Sequence, residues 1–151
     1  MKLVPNGPSY LRCAYTPPKM PPDFVPDEDL ADFVFGHLHI TMSMDAAGVF
    51  ILCPECRGHR MQMTILRHPP KDDFYGFVNT TCADCKHEFT PLERSIPGMR
   101  PMRPKRIVCK CKSKVFLFFH AKSGTNGFFE EEAIGGRCAQ CETLVHVLKA
   151  D

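Results

Sequence analysis

Three observations predict a small, mainly β fold built from two copies of one unit and stapled through its cysteines. First, eight of the nine cysteines fall into four close pairs: Cys53-Pro-Glu-Cys56, Cys82-Ala-Asp-Cys85, Cys109-Lys-Cys111 and Cys138-Ala-Gln-Cys141. Second, the pairs recur at fixed distances. Cys53 to Cys82 and Cys109 to Cys138 both span 29 residues, and Cys53 to Cys109 and Cys85 to Cys141 both span 56, which marks an internal duplication. Third, in the first unit His59 to Leu66 alternate apolar and polar, as a half-buried strand requires. A unit of roughly 45 residues has a marginal core of its own. Thiolates from two such turns can hold a metal ion, which contributes about 10–16 kcal/mol of folding free energy in small zinc peptides.

The elements follow in chain order. Residues 1–26 hold seven of the fourteen prolines, which excludes sheet interior or long helix. The same stretch carries Leu3, Val4, Tyr10, Leu11, Tyr15, Met20, Phe24 and Val25, so an extended arm lying on another surface is expected rather than a plain solvated linker. Pro26 to Ala31, with three acids at its start, suits one helical turn. Phe33 to Met44 then reads as a strand, with His37 and His39 on one face. Asp45 to Gly48 reads as a turn and Val49 to Cys53 as the returning strand. In the first unit His59, Met61, Met63 and Ile65 oppose Arg60, Gln62, Thr64 and Leu66, His68 to Asp73 form a loop, and Phe74 to Thr81 return. In the second, Lys114 to His120 run out, Ser123 to Gly127 turn, Phe128 to Arg137 return and Leu144 to Leu148 finish the unit. The expected divisions are an extended Pro-rich arm over 1–32, a strand plus the first unit over 33–93, a basic Pro-rich linker over 94–105 and the second unit over 106–151.

A CxxC turn puts two thiolates on one side of the backbone, and two such turns at the ends of a hairpin close a tetrahedron. With its 25 intervening residues, Cys53-x-x-Cys56…Cys82-x-x-Cys85 resembles the zinc-ribbon group with its rubredoxin-like knuckles. The resemblance covers about residues 49–92 and 106–149 and implies two tandem four-cysteine zinc ribbons, each with one structural Zn2+; iron also suits four cysteines. The second unit departs from the pattern, because Cys109-Lys-Cys111 has one intervening residue. Consecutive pairing groups Cys53, Cys56, Cys82 and Cys85 at one site and Cys109, Cys111, Cys138 and Cys141 at the other. A cross-braced arrangement would join the first pair to the third. Consecutive pairing is favoured because each unit has its own hairpin.

Four cysteines leave a metal no open position, so metal-assisted hydrolysis is not expected. His59 and His87 flank knuckles whose ligand sets are already complete, and Cys13 reads as a small buried side chain. No Walker loop, nucleophile elbow or Ser/His/Asp set occurs. Met1 to Val4 are stopped by Pro5 before a signal-peptide core forms, and no run reaches the ~18 apolar residues of a membrane span. The expected setting is reducing: the cytoplasm, the nucleus or a virion assembled inside a cell.

Three surfaces remain as candidates. Arg94, Arg100, Arg103, Lys105, Arg106, Lys110, Lys112 and Lys114 form an acid-free basic stretch. As polyproline II it would line Arg100, Arg103 and Arg106 along one edge for phosphates or an acidic protein, unless Glu130-Glu131-Glu132 or the acidic arm offsets it. Phe116, Phe118, Phe119, Phe128 and Phe129 belong to strands that do not alternate. Their cover is internal, or it is a partner for which they form the interface core. Asp72-Asp73 at the first hairpin tip is similar to the acidic tip of transcript-cleavage ribbons, which implies Mg2+ binding in a polymerase.

The net charge of +2 divides as −3 over residues 1–50 and +5 over residues 51–151. The expected function is that of a non-enzymatic small subunit docking on a larger protein assembly, such as a virion cement protein or a transcription accessory subunit. The alternative is nucleic-acid binding in transcription, replication or packaging. No membrane and no small-molecule substrate are expected.

Overall fold

In the computed structural model of the protein, the described residues are 10–12, 15–67, 76–95, 103–126 and 128–150. They form strands β1 (Tyr10–Arg12), β2 (Asp45–Phe50), β3 (Met61–Arg67), β4 (Gly76–Cys82), β5 (Glu88–Ser95), β6 (Arg103–Arg106), β7 (Phe116–Thr125), β8 (Phe128–Cys138) and β9 (Leu144–Ala150), with one helix, α1 (Glu28–Phe35). Every pairing among them is antiparallel, in the order β1-β5-β4-β3-β7-β8-β9. β6 lies alongside β3, and β2 alongside β7. β3 and β7 share a single ladder position, Met61 opposite Phe116, whereas β2 with β7 and β3 with β6 join earlier and later parts of the chain over six and four positions. No helix among the described residues is long and apolar enough to cross a membrane.

Side chains join the first unit to the second as well. One core takes Met61, Met63, Ile65, Val78 and Leu92 from the first half and Phe116, Phe118, Ile134 and Leu148 from the second. The buried cysteines Cys53, Cys82, Cys109 and Cys138 close its ends. The expected alternation of the first unit is present: Met61, Met63 and Ile65 are buried, and their neighbours on β3 are half-buried or exposed.

The missing alternation of Phe116 to Phe119 also has a structural cause. Phe116 and Phe118 enter the shared core, whereas Phe119 and Ala121 face a second core with Leu30, Val34 and Leu38. The chain itself therefore covers both faces of β7. α1 packs closely over β8, because a Cβ at Gly135 would sit 2.7 Å from Val34 Cγ2.

Several sequence expectations are corrected. Phe33 to Met44 is not a strand. α1 runs from Glu28 to Phe35, capped by Asp27, whose carboxylate accepts from the Leu30 N–H at 3.0 Å. Leu30, Val34 and Leu38, spaced at i, i+4 and i+8, supply the apolar stripe that competes with the alternation of this segment. Asp45 to Gly48 is not a turn but the first part of β2, paired with Lys122 to Gly124 and Ala121 of β7. Gly48 is needed there because a Cβ would meet the Phe119 ring at 2.3 Å. The expected turn at Ser123 is strand as far as Thr125, with Asn126 in the left-handed region at φ 54°.

The linker is not polyproline II over Arg103 to Arg106: these residues are β6, in register with Thr64 to Arg67. His68 to Asp73, including Asp72-Asp73, lies outside the described residues, as do Arg100 and Cys13.

Candidate metal centres

Each cysteine pair occupies the turn between two strands: β2 and β3, β4 and β5, β6 and β7, β8 and β9. The same backbone closure recurs in all four. The first cysteine of each pair accepts at its carbonyl: Arg57 N–H to Cys53 at 2.8 Å, Lys86 to Cys82 at 2.9 Å, Lys112 to Cys109 at 2.7 Å and Glu142 to Cys138 at 3.0 Å. Its own N–H donates further on, to the carbonyls of Gly58, His87, Ser113 and Thr143 respectively. The residue just after the second cysteine is left-handed in every case: Arg57, Lys86, Lys112 and Glu142, with φ between 57° and 75°. Four non-glycine residues in that region are unusual and mark a repeated, constrained turn.

The short third pair fits by tightening this turn. Lys112 bonds three residues back instead of four, and Cys109 reaches four residues forward to Ser113 instead of five. One residue is removed from the loop, and both closing bonds survive.

The turns bring the sulfurs together in consecutive pairing. Cys53, Cys56, Cys82 and Cys85 form one set and Cys109, Cys111, Cys138 and Cys141 the other, with all sulfurs of a set within 4.8 Å of one another. Cys53 to Cys85 is 3.5 Å, Cys56 to Cys82 3.6 Å, Cys109 to Cys141 3.4 Å and Cys111 to Cys138 3.5 Å. None of these eight cysteines forms a disulfide. A tetrahedral ion with ligands at about 2.3 Å would space its sulfurs by about 3.8 Å, so small outward shifts suffice. All four members of each set could serve as ligands.

The donor chemistry also fits a cation. Backbone N–H groups of Glu55 and Gly58 point at Cys53 and Cys56 Sγ (3.4 and 3.3 Å), and those of Gln140 and Cys141 at Cys138 Sγ (3.4 and 3.5 Å). Thr143 Oγ1 lies 3.1 Å from Cys141 Sγ. The Cys138 thiol is drawn down to about 6: burial opposes ionisation, but the Cys141 and Gln140 amides and the neighbouring thiols outweigh it. Within the same sets Cys56 and Cys111 are pushed up to about 12. Burial leads for Cys56; for Cys111 a favourable Ser113 amide is overcome by burial and adjacent sulfurs. Four thiolates at this spacing cannot all stand without positive charge, and a divalent ion would replace the protons they otherwise share. With four protein ligands each, such centres would offer no open coordination position.

The histidines beside the knuckles pack instead of joining the sets. His59 lies against Phe24 at 5.5 Å between ring centroids, and His87 stacks with Phe89 at 6.1 Å. His37 and His39 do not share a strand face. His37 stacks on His146 at 4.3 Å with its Nδ1 2.9 Å from Phe33 O, and the His39 N–H donates to Glu131.

The basic stretch divides. Arg94 is turned inward, its Nη2 donating to Glu132 Oε2 at 3.1 Å, which leaves little of its side chain in solvent. Arg103, Lys105, Arg106, Lys110, Lys112 and Lys114 are exposed. Of the candidate interface aromatics, Phe116, Phe118 and Phe119 are interior, while Phe128 is half exposed.

Two ionic clusters complete the picture, and the first answers in part the expectation that Glu130-Glu131-Glu132 could offset the basic stretch. Glu132, fully buried, also holds His120 Nε2 at 2.9 Å, so Arg94 of the first half and His120 of the second converge on one carboxylate. Burial alone would push the Glu132 carboxyl up, but the His120 hydrogen bond and the charges of His120, Arg94 and Lys122 hold it below its ordinary value. Asp27 caps α1 and accepts from Arg137 Nε at 2.6 Å, beside the second metal set. That Arg137 bond, opposed by partial burial, keeps the Asp27 carboxyl low. Comparison with known families, curated proteins and solved structures finds no match for the chain.

Proposed function

We propose that the chain is a non-enzymatic subunit built from two tandem zinc ribbons, each stapled by one structural Zn2+, and that it docks on a larger protein assembly such as a virion or a transcription machine. Closed four-cysteine sets support a structural rather than a catalytic role for the metal. The observation that carries the docking part is where apolar surface is left in water. Of the six large hydrophobic side chains exposed among the described residues, four, Met20, Val25, Ile40 and Met42, lie in the segment around α1, with Val25 81% and Met42 fully exposed. Exposed apolar side chains concentrated in one stretch of chain mark a partner surface better than scattered ones do. Methionine suits such a surface because it adapts to the shape it meets.

The test has two parts. Native mass spectrometry of the purified chain should show two zinc ions, and a fully folded metal-free protein would overturn the structural role. A photo-crosslinking residue placed at Val25 or Met42 in cells that make the protein should trap a discrete polypeptide in fixed stoichiometry. Trapping no stronger than from the exposed Thr125 position would refute the docking reading.

A further inference from the structure

Many cations of the fold are paired. Arg60 meets Asp84, Arg94 and His120 meet Glu132, Arg137 meets Asp27 and Lys149 meets Glu131. Residues 103–114 differ. Arg103, Lys105, Arg106, Lys110, Lys112 and Lys114 are all exposed, and among the described residues none of their side chains has an ion pair or hydrogen bond.

No ion pair among the described residues neutralises the strip. Glu131 and Glu132 are engaged with Lys149 and with Arg94 and His120. The residues outside the described set bring only Asp72, Asp73 and Asp151 as acids, alongside Lys2, Lys71 and Arg100. Six like charges held close together repel one another, and that cost is relieved by a polyanion.

The fold delivers these six along one path. β6 is bonded on one side, to β3, and is exposed at all four residues. Ile107 and Cys109 then turn inward, the Ile107 N–H bonding Met63 O at 3.0 Å, which anchors the path against the core. The third knuckle next presents Lys110 and Lys112, and Lys114 follows.

The chemistry of the strip distinguishes between partners. Protein interfaces gather aromatic residues, methionine and arginine and are depleted in lysine. Four of the six cations of this strip are lysines, and Val108 is its one exposed large apolar side chain. Unpaired lysines and arginines on an open strand suit phosphate oxygens. We infer that residues 103–114 bind the sugar–phosphate backbone of a nucleic acid. The strip has no aromatic residue on which a base could stack, so it recognises charge and not sequence. Six neutralised phosphates give a log K against log salt slope of about −4 on single strands and about −5 on duplex. This inference goes beyond the docking proposal and rests on different residues.

The experiment titrates the metal-loaded full chain against short fluorescent single-stranded and duplex DNA over a salt series, by anisotropy. It is repeated with Arg103→Glu/Lys105→Glu/Arg106→Glu, with Lys105→Glu and with Lys19→Glu as a charge-matched control. The substituted residues are exposed, and metal content and melting confirm that each variant is folded. The expected result is salt-sensitive binding whose single-strand slope falls by about 2 in the triple variant. Lys105→Glu should weaken binding more than Lys19→Glu does. Absence of binding at the lowest salt, or equal binding by the triple variant, overturns the inference. Displacement of the DNA by poly-glutamate of equal charge at equal or lower concentration also overturns it and assigns the strip to an acidic protein.

Discussion

Replacing Glu132 by Gln removes one charge from the point where the two halves of the fold meet. The Glu132 side chain is 1% exposed, His120 5% and Arg94 12%, and the carboxylate holds Arg94 at 3.1 Å and His120 at 2.9 Å. Gln keeps the shape and one acceptor oxygen. It puts an amide donor where the carboxylate had accepted, and it leaves Arg94 without this counter-charge. Removing one partner of a buried pair costs about 3–5 kcal/mol. Water reaches part of Arg94, so the lower end applies, about 3 kcal/mol. For a chain of this length that lowers the melting midpoint by about 6–12 °C.

Thermal and denaturant melts of the metal-loaded protein at neutral pH measure the loss. Arg94→Met and the double variant complete a cycle that isolates the coupling between the halves. The pH dependence follows from the sign of the shift. The folded carboxyl sits below its unfolded value of 4.5, so its contribution is complete above 4.5 and declines as pH falls through the folded value. The gap between wild type and Glu132→Gln should therefore be widest near neutrality and narrow in acid. A loss under about 0.5 kcal/mol, or no coupling with Arg94, would refute the idea that this carboxylate ties the halves together.

Two further outcomes are expected. Cys53→Ser should abolish one metal site and, because Cys53 and Cys138 border the same core, broaden or lower the melting of the whole chain rather than of one unit; metal analysis beside calorimetry distinguishes these, and an unchanged second transition would contradict the shared core. Tyr15→Phe should cost about 1–3 kcal/mol by denaturant titration, since the Tyr15 hydroxyl donates to Leu52 O at 2.8 Å and accepts from Leu52 N–H at 3.0 Å while its ring stacks on Phe89, so deletion of residues 1–26 should destabilise the fold as well.

The knuckles are legible in the sequence because their geometry is local. A cysteine, a short turn and a second cysteine fix two sulfurs by backbone closure alone, and the 29-residue recurrence supplies the other two. The half-buried character of Met61 to Ile65 is legible for a similar reason, since strand alternation needs only neighbouring residues. The segment 28–50 misleads because its residues support two periods at once. Phe33, Phe35, His37 and His39 alternate, while Leu30, Val34 and Leu38 follow a helix, and packing of the second set against Phe119 and Ala121 settles the choice. Asp45 to Gly48 has turn-like composition, and only the neighbouring edge of β7 makes it a strand.

By itself, then, the sequence determined the duplicated cysteine pairs and the mainly β character, and it favoured the consecutive grouping of eight thiols that the fold displays. Tertiary structure decided which side chains those turns enclose. It placed Phe116 and Phe119 in different cores, moved Arg94 from a basic surface to the buried Glu132 and left the six cations between Arg103 and Lys114 exposed. The physical reason is range. Turn closure and strand alternation act between residues a few positions apart, whereas the Arg94–Glu132 bond spans 38 residues and exists only once the two halves pack together.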